Sequence, residues 1–274
     1  MLFRRESKKK SGGKVPVLVF GYAFLYIPIL FLIVFSFNDS IFPGVWSGFS
    51  LVWYRELFSN EVIWQATRTS LQIAAMAATG SVVLGTMGAL ALSRFGKFRG
   101  RALFSILSSA PLIMPEIILG ISLLLMFVIC ENLFGIPSKR GMMTVTIAHI
   151  TLSMAYVILI VQSRLADFDQ SLEEAALDLG ARPTQAVFSV TLPIIAPAIF
   201  ASWLLTFALS LDDVVIASFL TGAQATTLPI LIFSSVKFGV TPEINALATI
   251  IVAVVSMIIT AIGIFLTKKS SREG

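Results

Sequence analysis

Three carboxylates lie inside apolar segments that are long enough to cross a membrane. Glu116 follows two prolines in the stretch APLIMPEIILG, and Asp212 and Asp213 are adjacent in ALSLDDVVIAS. A carboxylate at mid-bilayer costs roughly 2.5–3.5 kcal/mol on insertion scales, so such residues face a cavity or a partner. A carboxylate that faces a cavity would attract a cation, whereas a buried ion pair or hydrogen bond would make the same residue structural. The residue types alone leave both roles open at each position.

The sequence around these acids narrows their roles. Pro111 and Pro115 stand four residues apart just before Glu116, so we expect a loosened helix there, which is tolerated at membrane depth beside protein or water. Asp212 and Asp213 would point about 100° apart on a helix and cannot both face one direction. We therefore expect one of them to face a pathway and the other to pair with a neighbouring span or to cap local backbone.

The composition is that of a polytopic membrane protein. Of the 274 residues, 57% are hydrophobic and only 13% are charged, and the mean hydropathy is +0.91. The sequence has no GxxxxGK[ST] phosphate-binding loop, so we expect the chain to bind no ATP by itself. It also shows no metal-ligand spacing and no nucleophile–base pattern. We therefore expect a membrane protein without a metal or cofactor of its own, and not an enzyme.

Apolar runs predict an all-α protein with one transmembrane domain, residues 15–267, between a basic tail at 1–14 and a second tail at 268–274. Six transmembrane helices are predicted, at residues 15–37, 70–93, 102–130, 142–162, 194–220 and 245–267. A further apolar stretch, 228–236, is too short to span, so we expect it to re-enter the membrane or to lie on its outer face.

Lysine and arginine placement predicts the orientation. With the N-terminus inside, 15 of the 20 cationic residues fall on the cytoplasmic side. Both termini are then expected in the cytoplasm, and the net charge of +5 reflects membrane topology rather than nucleic-acid binding. The same orientation places the long polar stretch 171–197 in the cytoplasm.

This polar stretch contains a predicted amphipathic helix at residues 172–180. Glu173 and Glu174 lie in its first turn, where the helix dipole favours carboxylates. Gly180 is expected to end the helix, and Pro183 follows three residues later. A short helix held between two spans suits docking to a partner, and the alternative is a solvated loop between helices.

The spacing within this stretch resembles the EAA loop of bacterial ABC importer permeases. Glu174-Ala175-Ala176 is followed after three residues by Gly180, and after nine more by Val190, then by Leu192-Pro193. Val190 stands where isoleucine is usual in the family. The resemblance implies the type I permease fold and makes 171–193 the loop that couples to a cytoplasmic ATPase. The coupling residues that it implies are Glu173, Glu174, Ala175, Ala176, Gly180, Leu192 and Pro193.

The family resemblance also implies an assembly. Two ATPase subunits would bind ATP and magnesium and would each grip one EAA helix. A second, homologous permease would complete the path, and a soluble periplasmic or lipid-anchored binding protein would deliver the substrate on the outer face. Membrane lipids would surround the permease pair, and no nucleic acid is expected.

A second resemblance concerns the substrate. The segments 110–127, 208–222, 226–235 and 241–249 look like the permeases of putrescine and spermidine importers. Polyamines carry two or more ammonium groups, which separated carboxylates and aromatic faces complement. The substrate-path residues expected are Glu116, Asp212, Asp213 and Trp53. For Trp53, which lies in an outer segment rich in aromatic residues, the alternative is an aromatic belt at the membrane interface. The resemblance favours a heterodimer of two related permeases.

Other functions fit parts of the pattern. An ABC permease for a different small solute would share the EAA loop. A secondary carrier driven by a proton or sodium gradient would also use intramembrane acids, but it has no use for an ATPase-docking loop. A structural subunit whose partner alone contacts substrate would tolerate neutral residues at Glu116, Asp212 and Asp213.

Overall fold

The computed structural model describes residues 14–42, 44–222, 225–238 and 242–273, with side chains except at 14, 238, 258, 259 and 261–273. Residues 1–13 of the predicted basic tail lie outside the described residues. The described chain contains helices and loops and no β-strand. It divides into two compact units, one formed by residues 1–61 and 235–274 and the other by residues 62–234.

The first unit contains α1 (Lys14–Phe35), α2 (Val52–Ser59) and α12 (Pro242–Glu273), and α1 and α2 both pack against α12. Helix α1 is apolar and exposed along its length, as expected for a span whose side chains face lipid. The helix α12 continues through residues 268–273 of the predicted second tail.

The second unit holds most of the helices. They are α3 (Glu61–Arg94), α4 (Arg101–Ile113), α5 (Glu116–Phe134), α6 (Met142–Ala166), α7 (Ser171–Asp178), α8 (Pro183–Ala186), a π-turn (Val187–Thr191), α9 (Leu192–Asp212) and α10 (Val215–Leu220). Helix α11 (Leu228–Phe238) begins in this unit, and its residues after 234 belong to the first. Within the described residues, five helices are long and apolar enough to cross a membrane: 15–35, 61–94, 116–134, 142–166 and 183–212. The sixth predicted span falls on α12, whose described apolar part is 242–257.

Two predicted spans are each divided into two helices. The span predicted at 102–130 breaks between α4 and α5, where Met114 has an extended ψ of 139°. The residue before a proline avoids the helical region, and Pro115 has no N–H to continue the ladder, so the loosened helix expected here is a complete break. Pro111 remains inside α4. The span predicted at 194–220 breaks between α9 and α10, where Asp213 has a ψ of 122°.

Small residues on α3 allow α6 to approach closely. A Cβ atom added at Gly85 would lie 2.6 Å from the Cβ of Val157, and one added at Gly80 would lie 2.6 Å from the Cδ1 of Ile150. Small residues let helix backbones pack tightly where lipid supplies no hydrophobic drive. The contact holds α3 against α6 in the unit that carries the predicted EAA loop.

Candidate functional site

The predicted coupling helix forms as α7, Ser171–Asp178, close to the predicted range of 172–180. Its C-terminus is closed by a Schellman motif, in which Gly180 N–H donates to the Leu177 carbonyl at 2.9 Å and Ala181 N–H to the Ala176 carbonyl at 3.0 Å. Gly180 has a φ of +89°, a conformation that favours glycine. Gly180 therefore acts as the predicted helix stop.

The start of α7 carries its own acceptor. Asp169 Oδ1 accepts the Ser171 N–H at 3.0 Å. Hydrogen bonding from Ser171 lowers the pKa of the Asp169 carboxyl. A charged carboxylate at this end also suits the helix dipole.

One face of α7 is open to a partner. Glu174 and Ala175 are exposed, and the side chains of Leu172 and Leu177 are 47% and 41% exposed. Leu179, just beyond the helix, is 91% exposed. Exposed leucines beside a carboxylate form the kind of mixed surface on which a partner protein docks.

Glu173 is turned the other way, although it adjoins Glu174. Its Oε2 lies 2.8 Å from Nη2 of Arg94, the last residue of α3, and its Oε1 accepts a 2.8 Å hydrogen bond from Thr191 Oγ1. The Arg94 guanidinium also lies over the Phe168 ring, 5.0 Å from its centroid. Glu173 therefore contacts its own chain, and of the two glutamates only Glu174 is free to face a partner.

Leu192 and Pro193 open α9 directly after the π-turn. Leu192 N–H donates to the Val187 carbonyl, five residues back. In a regular helix the Pro193 ring would press on the Ser189 carbonyl, and the wider π-turn relieves that clash. Leu192 packs against the buried cluster of α3, α6 and α9, so both residues shape the entry to α9.

Asp213 is held in a buried hydrogen-bond network. Its Oδ1 and Oδ2 accept the N–H groups of Ile216 and Ala217 at 3.2 and 2.7 Å, which caps α10. Its Oδ2 also lies 3.0 Å from His149 Nε2, and His149 Nδ1 lies 2.6 Å from Ser210 Oγ. Asp213 thus caps local backbone and pairs with a neighbouring span.

Asp212 has no such network. It is the last residue of α9 and its side chain is exposed. Among the described residues, no other side chain forms a hydrogen bond or ion pair with it. The Asp212 side chain is therefore accessible, whereas both carboxylate oxygens of Asp213 already accept hydrogen bonds within the protein.

Glu116 lies at the other helix break. It is the first residue of α5 and its side chain is exposed. Four residues later, a Cβ atom at Gly120 would lie 2.7 Å from Phe219 and 3.5 Å from the Cα of Ile216. Ile216 in turn lies four residues after Asp212, so both exposed acids lie close in sequence to one tight contact between α5 and α10.

Trp53 belongs to the first unit and is buried there. Its Nε1 donates to the Asn38 carbonyl at 2.7 Å. The Asn38 side chain donates to the Val45 carbonyl at 2.6 Å and accepts the Ser47 N–H at 2.9 Å. Trp53 is 8% exposed and fastens the loop between α1 and α2.

The sequence patterns did not indicate four of the partners in these networks. Arg94 is one of the 15 cationic residues assigned to the cytoplasmic side, and His149 is the one histidine of the sequence, within the span predicted at 142–162. Thr191 and Ser210 are unremarkable in sequence. Glu173 and Arg94 are far apart along the chain, as are His149 and Asp213, so no local pattern connects them.

Comparison with known proteins identifies the family. A model of the binding-protein-dependent transport system inner membrane component matches residues 81–272. The chain is 51% identical to the putrescine transport system permease protein PotI of Escherichia coli (strain K12), over 91% of this chain and 89% of that protein. It is 40% identical to the spermidine/putrescine transport system permease protein PotC of Haemophilus influenzae, over 91% and 94%.

The fold agrees with this assignment. A chain in the crystal structure of a bacterial ABC transporter involved in the import of the acidic polysaccharide alginate superposes with a TM-score of 0.71. That match covers 96% of this chain and 98% of the other chain. Because the sequence identity is 17%, the match supports the fold alone. The family match and the two relatives together show that the chain belongs to the inner-membrane components of binding-protein-dependent transport systems. It is a permease subunit of an ABC importer.

Proposed function

We propose that this chain forms half of the translocation path of an importer for a polyamine, putrescine or spermidine. The observation that carries the proposal is the 51% identity, along nine-tenths of the chain, to a permease named for putrescine transport. The carboxylates of the second unit suit such a substrate. Ammonium groups need separated acceptors of negative charge, and exposed acids within apolar segments are costly unless a pathway uses them.

In this proposal Glu116 and Asp212 contact the substrate. Each lies where a span is divided, next to the C-terminal end of the preceding half-helix. The open carbonyls at the end of α9 carry partial negative charge beside Asp212, which adds to the attraction for a cation there. Two separate carboxylates would complement a molecule with an ammonium group at each end.

In this proposal the other two expected path residues, Asp213 and Trp53, position other groups and do not contact the substrate. Asp213 fixes the break between α9 and α10 and so sets where Asp212 points. Trp53 holds the loop after α1, which in the proposed orientation lies on the outer side, where substrate arrives. Neither residue needs to touch the substrate for its loss to slow transport.

The proposed assembly has this chain beside a second, related permease in a heterodimer. A cytoplasmic ATPase dimer, holding ATP and magnesium, docks on residues 171–193 of this chain and on the equivalent loop of the other. A periplasmic or lipid-anchored binding protein delivers the polyamine from outside. ATP-driven closure of the dimer moves α7 and opens the path outward, and hydrolysis returns it inward. Both termini of this chain lie in the cytoplasm.

The test is ATP hydrolysis by the purified complex in proteoliposomes. The complex is assayed with its binding protein, with and without putrescine or spermidine, and with a neutral amino acid as the control solute. Stimulation by a polyamine alone is the expected result. An active ATPase that responds to a different solute would keep the ABC permease and discard the polyamine. A complex that transports without any ATPase would overturn the coupling scheme in favour of a gradient-driven carrier.

A further inference from the structure

Four side chains gather where α7 meets the rest of its unit, and we refer to Arg94, Phe168, Glu173 and Thr191 as the clasp. Arg94 ends α3, and Thr191 ends the π-turn that leads into α9. Phe168 lies between α6 and α7. The clasp therefore connects the coupling helix with the ends of three spans.

Glu173 is the counter-charge of the Arg94 guanidinium. The Nε of Arg94 is buried without a hydrogen-bond partner in the part of the chain that is described, and one side of the guanidinium is covered by Phe168. The 2.8 Å approach of its Nη2 to Glu173 is a contact between charges, not an aligned hydrogen bond. Since a largely buried cation without its counter-charge is strongly unfavourable, the pair is expected to stay closed when α7 moves.

Glu173 uses both of its carboxylate oxygens within the clasp. Oε2 faces Arg94 and Oε1 accepts from Thr191, whose side chain is fully buried. Bonds from one carboxylate to two different elements fix its position in more than one direction. The position of α7 is thereby tied to the end of α3 and to the start of α9 at the same time.

We propose that Arg94 is a positioning residue for energy coupling. Through Glu173 and Thr191 it makes α7 and the adjoining ends of α3 and α9 move as one body, so that a displacement of α7 reaches the spans without being absorbed by the loop. The inference rests on the proposed function, because it needs an ATPase that displaces α7.

The experiment uses the reconstituted complex of both permeases, ATPase and binding protein. It measures three quantities for each variant: ATPase retained on purification, ATP hydrolysis, and polyamine transported per ATP hydrolysed. Arg94→Glu should lower transport per ATP by about tenfold while the ATPase stays bound. The swapped double variant Arg94→Glu/Glu173→Arg should recover most of that loss. Arg99→Glu makes the same charge change at a nearby exposed position and is the matched control, with no loss expected.

Milder variants cover the case in which Arg94→Glu does not fold. Thr191→Val and Glu173→Gln keep side-chain size and remove one bond or one charge, and each should lower transport per ATP with the complex intact. Unchanged transport per ATP in Arg94→Glu, or in both milder variants, would overturn the proposal. Failure of the double swap to restore transport per ATP would also overturn it, because the two residues would then act separately.

A separate variant tests the proposed docking itself. Glu174→Lys reverses the exposed charge and should lower the amount of ATPase that is retained. If Glu174→Lys retains the ATPase and full coupling, docking through this face of α7 fails, whatever the Arg94 variants show. If Glu174→Lys loses the ATPase and Arg94→Glu stays fully coupled, docking of the ATPase on α7 is supported and the coupling role of the clasp is wrong.

Discussion

Two pairs of adjacent acidic residues occur in the second unit. Glu173 and Glu174 lie on one helix, where neighbours point about 100° apart, whereas helix α9 ends between Asp212 and Asp213. In the first pair, Glu173 contacts Arg94 and Thr191 while Glu174 is exposed. In the second pair, Asp213 caps α10 while Asp212 is exposed. Within each pair, one carboxylate holds the local structure and its neighbour is exposed.

Replacing Asp213 with alanine should destabilise the protein. The substitution leaves the N–H groups of Ile216 and Ala217 without their acceptor and His149 without its partner, which costs about 1–3 kcal/mol. Thermal unfolding of the purified subunit in detergent measures the loss. Asp213→Asn keeps one acceptor oxygen and should cost less. Equal stability of Asp213→Ala and the wild type would contradict the capping role.

Replacing Asp212 with asparagine should act on transport instead. The side chain bonds to no other described side chain, so assembly and thermal stability should stay near those of the wild type. The loss of one negative charge from the proposed path should raise the polyamine concentration needed for half-maximal transport by about tenfold. Transport assays in proteoliposomes measure this. Unaltered transport by both Asp212→Asn and Glu116→Gln would place the path elsewhere.

At the scale of elements, close packing of α3 on α6 sets the frame that carries α7. Gly85→Ala should cost about 1–3 kcal/mol of stability, because the new Cβ would meet the Val157 Cβ, which cannot move without its backbone. Gly80→Ala should cost less, since it meets only the movable end of Ile150. Gly21→Ala in α1 is the matched control, with nothing within 4 Å of the new atom. Equal thermal stability of all three variants would contradict this account.

Sequence reasoning predicted the helices better than the networks. The apolar runs indicated the spans, and the EAA spacing indicated α7 with its stop at Gly180, because both signals are local. The break before Pro115 was predicted only as a loosened helix, and the break at Asp213 was not predicted, because residues 194–220 were expected to form one span. A helix break at an aspartate depends on whether a distant partner such as His149 is present to hold it, and that is decided by tertiary packing. The contact of Arg94 with Glu173 depends on packing in the same way.

At the scale of the whole molecule, the family match identifies the chain as a membrane subunit of an importer. The distribution of lysine and arginine supports the proposed orientation. The 15 cationic residues assigned to the cytoplasmic side would be retained there by the insertion machinery and by anionic lipid. The same orientation brings residues 171–193 to the side of the membrane where ATP is available. Coupling to a cytoplasmic ATPase therefore requires this orientation.

The orientation can be tested with single cysteines. Cys130 is the only cysteine in the sequence, so Cys130→Ala gives a background without reactive thiols. Phe95→Cys lies after α3 and Val45→Cys lies after α1, and both native side chains are exposed, at 72% and 57%. A membrane-impermeant maleimide should label Val45→Cys in spheroplasts and Phe95→Cys only in inverted vesicles.

The two positions respond in opposite directions, which separates orientation from simple reactivity. A thiol that is merely buried would stay unlabelled in both preparations and would react only after the protein is denatured. Labelling of Phe95→Cys in intact spheroplasts would place the end of α3 outside, and with it Arg94 and the α7 helix that Arg94 holds. In that case no cytoplasmic ATPase could reach the EAA loop, and the coupling proposal and the clasp would both be wrong.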